Sequence, residues 1–97
     1  MTSIENQIAV VMGAGRGIGR AIAIELGKMG AQVVLSGRSR TELEEAAGRI
    51  GPNASVIPAD VRKQDELLRL FEQTATALGP VDILVNAAGL GVFGPVA

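Results

Sequence analysis

Cysteine, histidine, tyrosine and tryptophan are all absent from the 97 residues, and phenylalanine occurs twice. Without cysteine there is no disulfide and no thiolate nucleophile, and without histidine there is no imidazole acid–base group. The two absences together exclude Cys/His metal sites. Charge of one sign is not concentrated either. Nine Lys and Arg stand against ten Asp and Glu, for a net charge of -1. That balance argues against a broad electrostatic surface for nucleic acid or membrane, but it leaves room for a pocket with two or three arginines. Long hydrophobic runs are missing as well. The apolar stretch Ile8 to Met12 stops at Gly13, far short of a signal or a membrane span, and MTSIENQ has no basic leader. The expectation is a soluble, cytoplasmic chain.

What is present is globular in character, because hydrophobic residues make up 47% and charged residues 20%. A chain of this length buries somewhat over ~60% of its unfolded surface, enough for one modest core and one domain. Ile8 to Met12 suits a strand buried on both faces. Ile18, Ala21, Ile22, Leu26 and Met29 follow at helical spacing, and Gly30 is placed to end that helix. Gln32 to Ser36 reads as a second strand. Ser39/Glu42 and Thr41/Glu44 form two overlapping capping boxes for a helix ending near Ile50. Ala54 to Pro58 reads as a short third strand, with Pro58 marking an end or an edge. Leu67, Leu68, Phe71, Ala75 and Leu78 predict the buried face of a third helix, which Gly79-Pro80 stops. Val81 to Val85 reads as a fourth strand, and Asn86 to Ala97 as loop. Strands alternating with helices at these lengths imply a parallel sheet.

Between the first strand and the first helix lie Gly13, Gly15, Gly17 and Gly19. A glycine-rich turn into a helix lets backbone N–H groups close around phosphate, with the helix N-terminus adding partial positive charge. The turn alone equally suits glycines needed only for backbone geometry. A Walker A loop needs Lys and then Ser or Thr after its last glycine, whereas Arg20-Ala21 stand here. G-x-G-x-x-G fails too, since its last position falls on Ile18 or Arg20. The spacing that fits is Gly13-x-x-x-Gly17-x-Gly19.

That turn, "MGAGRGIG", resembles the TGxxxGxG turn of the classical short-chain dehydrogenase/reductase family. Asp60-Val61 looks like the family's Asp-Val adenine contact, and "VNAAG" from Val85 to Gly89 looks like its NNAG motif. The resemblance spans nearly the whole chain. Met12 departs from the usual Thr, removing a hydroxyl that ties the turn to its neighbour, and Ala87 departs from the second Asn. The resemblance implies an α/β fold, a partial Rossmann-like doubly wound parallel sheet of order β-α-β-α-β-α-β. It implies cofactor contacts from Gly13, Gly15, Arg16, Gly17, Ile18 and Gly19, from Ser36 (with Ser39 as an alternative hydroxyl) and Arg38, from Asp60 and Val61, and from Asn86, Ala87, Ala88 and Gly89.

In such a site the residue ending the second strand faces the adenosine ribose, and a carboxylate there selects NAD. Gly37 takes that position here, followed by Arg38, and Arg16 in the turn reaches the same side. Arginine forks match phosphate, so the expected cofactor is NADP(H). The plain alternative is two solvated surface arginines. The family's reaction moves a hydride between nicotinamide and a carbonyl or alcohol carbon. It uses a Tyr acid/base, a Lys that lowers its pKa and a substrate-orienting Ser. The chain has no tyrosine, its lysines are Lys28 and Lys63, and no serine follows Ser55. The expectation is therefore that residues 1–97 are one NADP-binding domain, truncated before the catalytic Tyr/Lys segment, with no catalytic residue of its own. In a full-length parent the partners are a nicotinamide dinucleotide and a small carbonyl or alcohol substrate, with a homo-oligomer left open. The competing readings are a catalytically dead nucleotide-binding module and a methyltransferase, which wants an acid where Gly37-Arg38 stand. A ligand-free α/β domain is the third. Val92 to Val96 hint at an apolar wall near the nicotinamide.

Overall fold

The computed structural model describes residues 3–87. Strand β1 (Ile8–Met12) is buried at all five positions. Five consecutive apolar residues can be buried on both faces only between two neighbours and two covering layers. Strand β2 (Gln32–Ser36) lies beside it in parallel, with Met12 opposite Ser36. Strand β3 (Ala54–Val56) pairs with β2 at one edge. Strand β4 (Ile83–Asn86) pairs with the other side of β1, placing Asn86 opposite Met12. The order is β3-β2-β1-β4, all parallel.

Helices α1 (Gly17–Lys28) and α2 (Arg40–Ile50) cover one face of the sheet. There Ala23, Leu43 and Ala46 pack on Ala9, Val11, Val33 and Leu35. Helix α3 (Gln64–Ala77) covers the other, where Leu70 packs with Val10, Met12 and Val34. Each fully buried Val or Leu contributes about 1.5–3 kcal/mol, so two small layers on a double-faced sheet suffice for a chain of this size.

The element order agrees with the sequence reading, but several details differ. Ile18 in α1 and its C-cap Met29 are 58% exposed, and the buried positions of the helix are Gly19 and Ala23. The helix turns its smallest residues to the sheet because they allow the closest approach. In α3, Leu68 is 57% exposed and Ala75 is exposed, while Leu70 and Thr74 are buried. Thr74 passes as an apolar residue because its hydroxyl donates to the Leu70 carbonyl at 2.8 Å. Strand β3 ends at Val56, and β4 begins at Ile83 rather than Val81. Asp82, just before it, accepts a hydrogen bond from the Ile8 N–H at 2.8 Å and so ties the start of β1. Of the two capping boxes only Ser39 caps, its Oγ accepting from the Glu42 N–H at 3.4 Å; Thr41 lies within α2. Lys63 is the N-cap of α3.

Gly30 ends α1 as expected. It has φ +94°, its N–H donates to the Gly27 carbonyl, and the Ala31 N–H donates to the Leu26 carbonyl. This double closure needs a left-handed residue, which glycine adopts without steric cost.

Candidate functional site

Parallel pairing brings Met12, Ser36 and Asn86 to the same end of the sheet. From β1 the chain runs through α1 to β2 on one side, while β4 lies on the other. This is the switch point at which ligands sit in open α/β sheets, beyond the strands' carboxyl ends.

The glycine turn occupies that point. It leaves β1 with Gly13 and Ala14 both donating to the Ser36 carbonyl, at 2.8 and 3.0 Å. On the other side the Ala87 N–H donates to the Met12 carbonyl at 2.8 Å. The hydroxyl missing at Met12 thus leaves the turn tied through backbone to both neighbouring strands. Gly19 sits where no side chain fits: a Cβ would run into the Gly13 carbonyl and lie 3.0 Å from Ala87 Cβ. Gly13 and Gly17 have φ of +79° and +64°. Among the described residues, α1 is the one helix with neither a side-chain cap nor an acid in its first turn. The partial positive charge of its first N–H groups is therefore met by no capping side chain and no first-turn acid. Ile18, on this turn, is exposed.

A charged rim lies beside the turn. Gly37 follows β2, and a Cβ there would meet only Leu43 Cδ2 at 3.4 Å and Ala14 N at 4.0 Å. A Cβ fits there, in ordinary contact with its neighbours. Arg38 is exposed and makes no ion pair with any described residue. Arg16 lies 3.9 Å from the Glu42 carboxylate, with the two side chains 85% and 40% exposed. Asp60 is held in a fork by Arg62, at 3.0 Å from Nε and 2.9 Å from Nη2, and also accepts from the Arg62 backbone N–H at 3.0 Å. These bonds, side chain first, hold the Asp60 carboxyl well below the usual carboxylate range, and the charge of Arg38 adds to the effect. The Asp60 N–H donates to Glu66 at 2.8 Å, fixing this corner to α3.

Ser36 is a correction. It is fully buried, and its Oγ donates to the Ile57 carbonyl at 2.7 Å, tying β2 to the segment after β3. It does not face the rim; Ser39 is the exposed hydroxyl there. Gly13, Gly15, Arg16, Arg38, Asp60, Val61, Asn86 and Ala87 fall at the strand carboxyl ends or the segments that follow them, and Gly17, Ile18 and Gly19 form the start of α1. Ala88, Gly89 and the stretch Val92 to Val96 lie outside the described residues. Arg62 and Glu42 are absent from the sequence-predicted set. Arg62 stands two residues after Asp60, a spacing that favours a local ion pair. Glu42 is visible in sequence only as a capping-box member. No helix of the described residues is long and apolar enough to cross a membrane.

The family model for short chain dehydrogenases matches residues 7–97. An uncharacterized oxidoreductase of Staphylococcus aureus is 42% identical over 90 residues, which is 92% of this chain and 39% of that protein. A hydroxynaphthalene reductase-like protein of Metarhizium guizhouense is 40% identical over 97 residues, 96% of this chain and 36% of its own. The chain therefore spans about two fifths of the length of these relatives. Among solved structures, 3-ketoacyl-(acyl-carrier-protein) reductase from Brucella melitensis, complexed with NADH, is similar at TM-score 0.86 and 39% identity. That match covers 92% of this chain and 37% of the other. Glucose dehydrogenase of Caenorhabditis elegans in the apo-form is similar at TM-score 0.84 and 33% identity, with 93% and 40% covered.

Proposed function

The chain belongs to the short-chain dehydrogenase family, and from that premise we propose that it is the cofactor-binding portion of an NADP(H)-dependent oxidoreductase. The observation that carries the cofactor choice is Arg38 without an ion-pair partner among the described residues, next to Gly37, where a Cβ would fit and no acid stands. A 2′-phosphate meets a fork of donors there and no carboxylate from the strand end.

The residues present suit a dinucleotide. Gly17, Ile18 and Gly19 open α1 with no side-chain cap on their N–H groups, and Gly13 and Gly15 add no side chain to the turn before them, which suits a pyrophosphate. Arg38 and Arg16 take the 2′-phosphate, with Ser39 as the hydroxyl. Asp60 and Val61 border the adenine. Asn86 and Ala87, continuing to Ala88 and Gly89, lead toward the nicotinamide. When bound, the cofactor supplies or accepts a hydride, and the proposed substrate is a small carbonyl compound or alcohol. The 97 residues hold no tyrosine. The family's acid–base chemistry therefore requires residues outside them, and a nucleotide-binding module without catalysis is the second reading. The intact mass of the product of the native gene, followed by an assay of that product for NADPH oxidation with a ketone panel, separates the two.

The cofactor reading is tested by titrating NADPH and NADH into wild type and Arg38→Asp, following nicotinamide fluorescence. The expected result is a loss of NADPH affinity of about 30-fold, within the range for charge-assisted bonds, and an NADH affinity within about twofold of wild type. Equal losses for both cofactors would sink the NADP(H) assignment.

A further inference from the structure

Glu42 lies where the proposed cofactor reading has no use for a carboxylate. It is the third residue of α2, yet its side chain leans back onto the glycine turn. A Cβ on Gly15 would lie 3.1 Å from both Glu42 Cβ and Glu42 Oε1. The same Oε1 is 3.9 Å from Arg16 Nε. The absence of a side chain at Gly15 is what admits the carboxylate to this place.

Resting on the NADP(H) reading, the geometry points to Glu42 as a specificity-determining residue that works against the 2′-phosphate by holding Arg16. A phosphate monoester carries about −1.5 to −2 charges near neutral pH. Brought to Arg16, it must take that guanidinium from Glu42 and lie beside the carboxylate it displaces. A 2′-hydroxyl brings no charge and faces no such exchange. The two side chains are exposed, so the exchange is cheap and Glu42 has room to swing aside. Glu42 thus narrows the preference that Arg38 sets.

A purely helical role is the competing account, because acids in a first turn stabilise helices. That role changes thermal stability and leaves ligand ratios alone. The test therefore uses two small probes, adenosine 2′,5′-bisphosphate and 5′-AMP, titrated by calorimetry into wild type, Glu42→Gln and Glu42→Asp. Gln removes the charge at nearly constant shape, and Asp keeps the charge but draws it back from Gly15 and Arg16. Both variants are expected to bind the bisphosphate about two- to fivefold more tightly than wild type, the range of one exposed ion pair. Binding of 5′-AMP should stay unchanged. A bisphosphate affinity that is unchanged or weaker, or a change shared equally by both probes, overturns the inference while the cofactor reading stands. If wild type binds neither probe, the cofactor reading falls first and this inference with it.

Discussion

The glycine turn and the charged rim adjoin one another, yet they are made in opposite ways. From Gly13 to Gly19 the backbone itself forms the surface, held to β2 and β4 by hydrogen bonds and closed to side chains at Gly19. At the rim, side chains do the shaping: Arg38 with no ion pair among the described residues, Arg16 against Glu42, and Arg62 against Asp60. The difference teaches where change is tolerated. A side chain added at Gly19 reaches the fold, because it meets the backbone of the turn. Alterations at the rim leave the core intact and, on the proposed reading, change which ligand is held.

The strongest way to break this comparison is Gly19→Ala. One methyl group meets the Gly13 carbonyl, which belongs to the backbone of the turn and cannot rotate away. The expected cost is about 3 kcal/mol, the upper end for overpacking, read as a shift in the urea midpoint, with NADPH binding lost as well. A variant of wild-type stability that merely binds less cofactor would show that the turn yields, and that fold and ligand are less entangled than the geometry says.

Asp60→Asn sharpens the rim side of the comparison, with a smaller effect. Its folded-state pKa lies below the ordinary aspartate value, so its stabilisation is complete above about pH 4 and fades as pH falls toward the folded value. The melting temperatures of wild type and variant should differ by a constant amount from pH 8 to pH 5. The gap should then narrow below about pH 4, as the wild-type carboxylate takes up its proton. A gap that persists unchanged to pH 3 would mean that the fork to Arg62 is not its source.

How far these regions could be read from sequence follows the same division. β1 and β2 were legible to the residue, because a short apolar run bounded by turns has one way to be buried. The glycines were legible because their spacing is itself the backbone's requirement. The helix faces were not. Residues 18–26 of α1 are apolar at several phases, and Leu67, Leu68, Leu70 and Phe71 allow two faces for α3. The choice fell to close approach in α1, through Gly19 and Ala23, and to packing on Val10 and Val34 in α3. The rim was half legible. Arg16 and Arg38 stand out by position, but the partner of Arg16 comes from 26 residues further on, and only the packing of α2 against the turn brings it there. Ser36 was misplaced for a related reason: a strand end has two faces, and the register turned its hydroxyl to Ile57.

The smallest effect tests the comparison from outside both regions. Gly48 lies in the last turn of α2, exposed, with nothing within 4 Å of where a Cβ would stand and no positive φ. It carries the helix-weakening flexibility of glycine with none of the geometry that requires it. Gly48→Ala should therefore stabilise the chain by about 0.5–1 kcal/mol and leave nucleotide affinity untouched. Measured beside Gly19→Ala by the same urea titration, the one-methyl change should have opposite signs at the two glycines. If Gly48→Ala also destabilises, open space is not a sufficient guide to glycine tolerance in this helix, and the argument that Gly19 is held by steric closure would need its own proof from a structure of the variant.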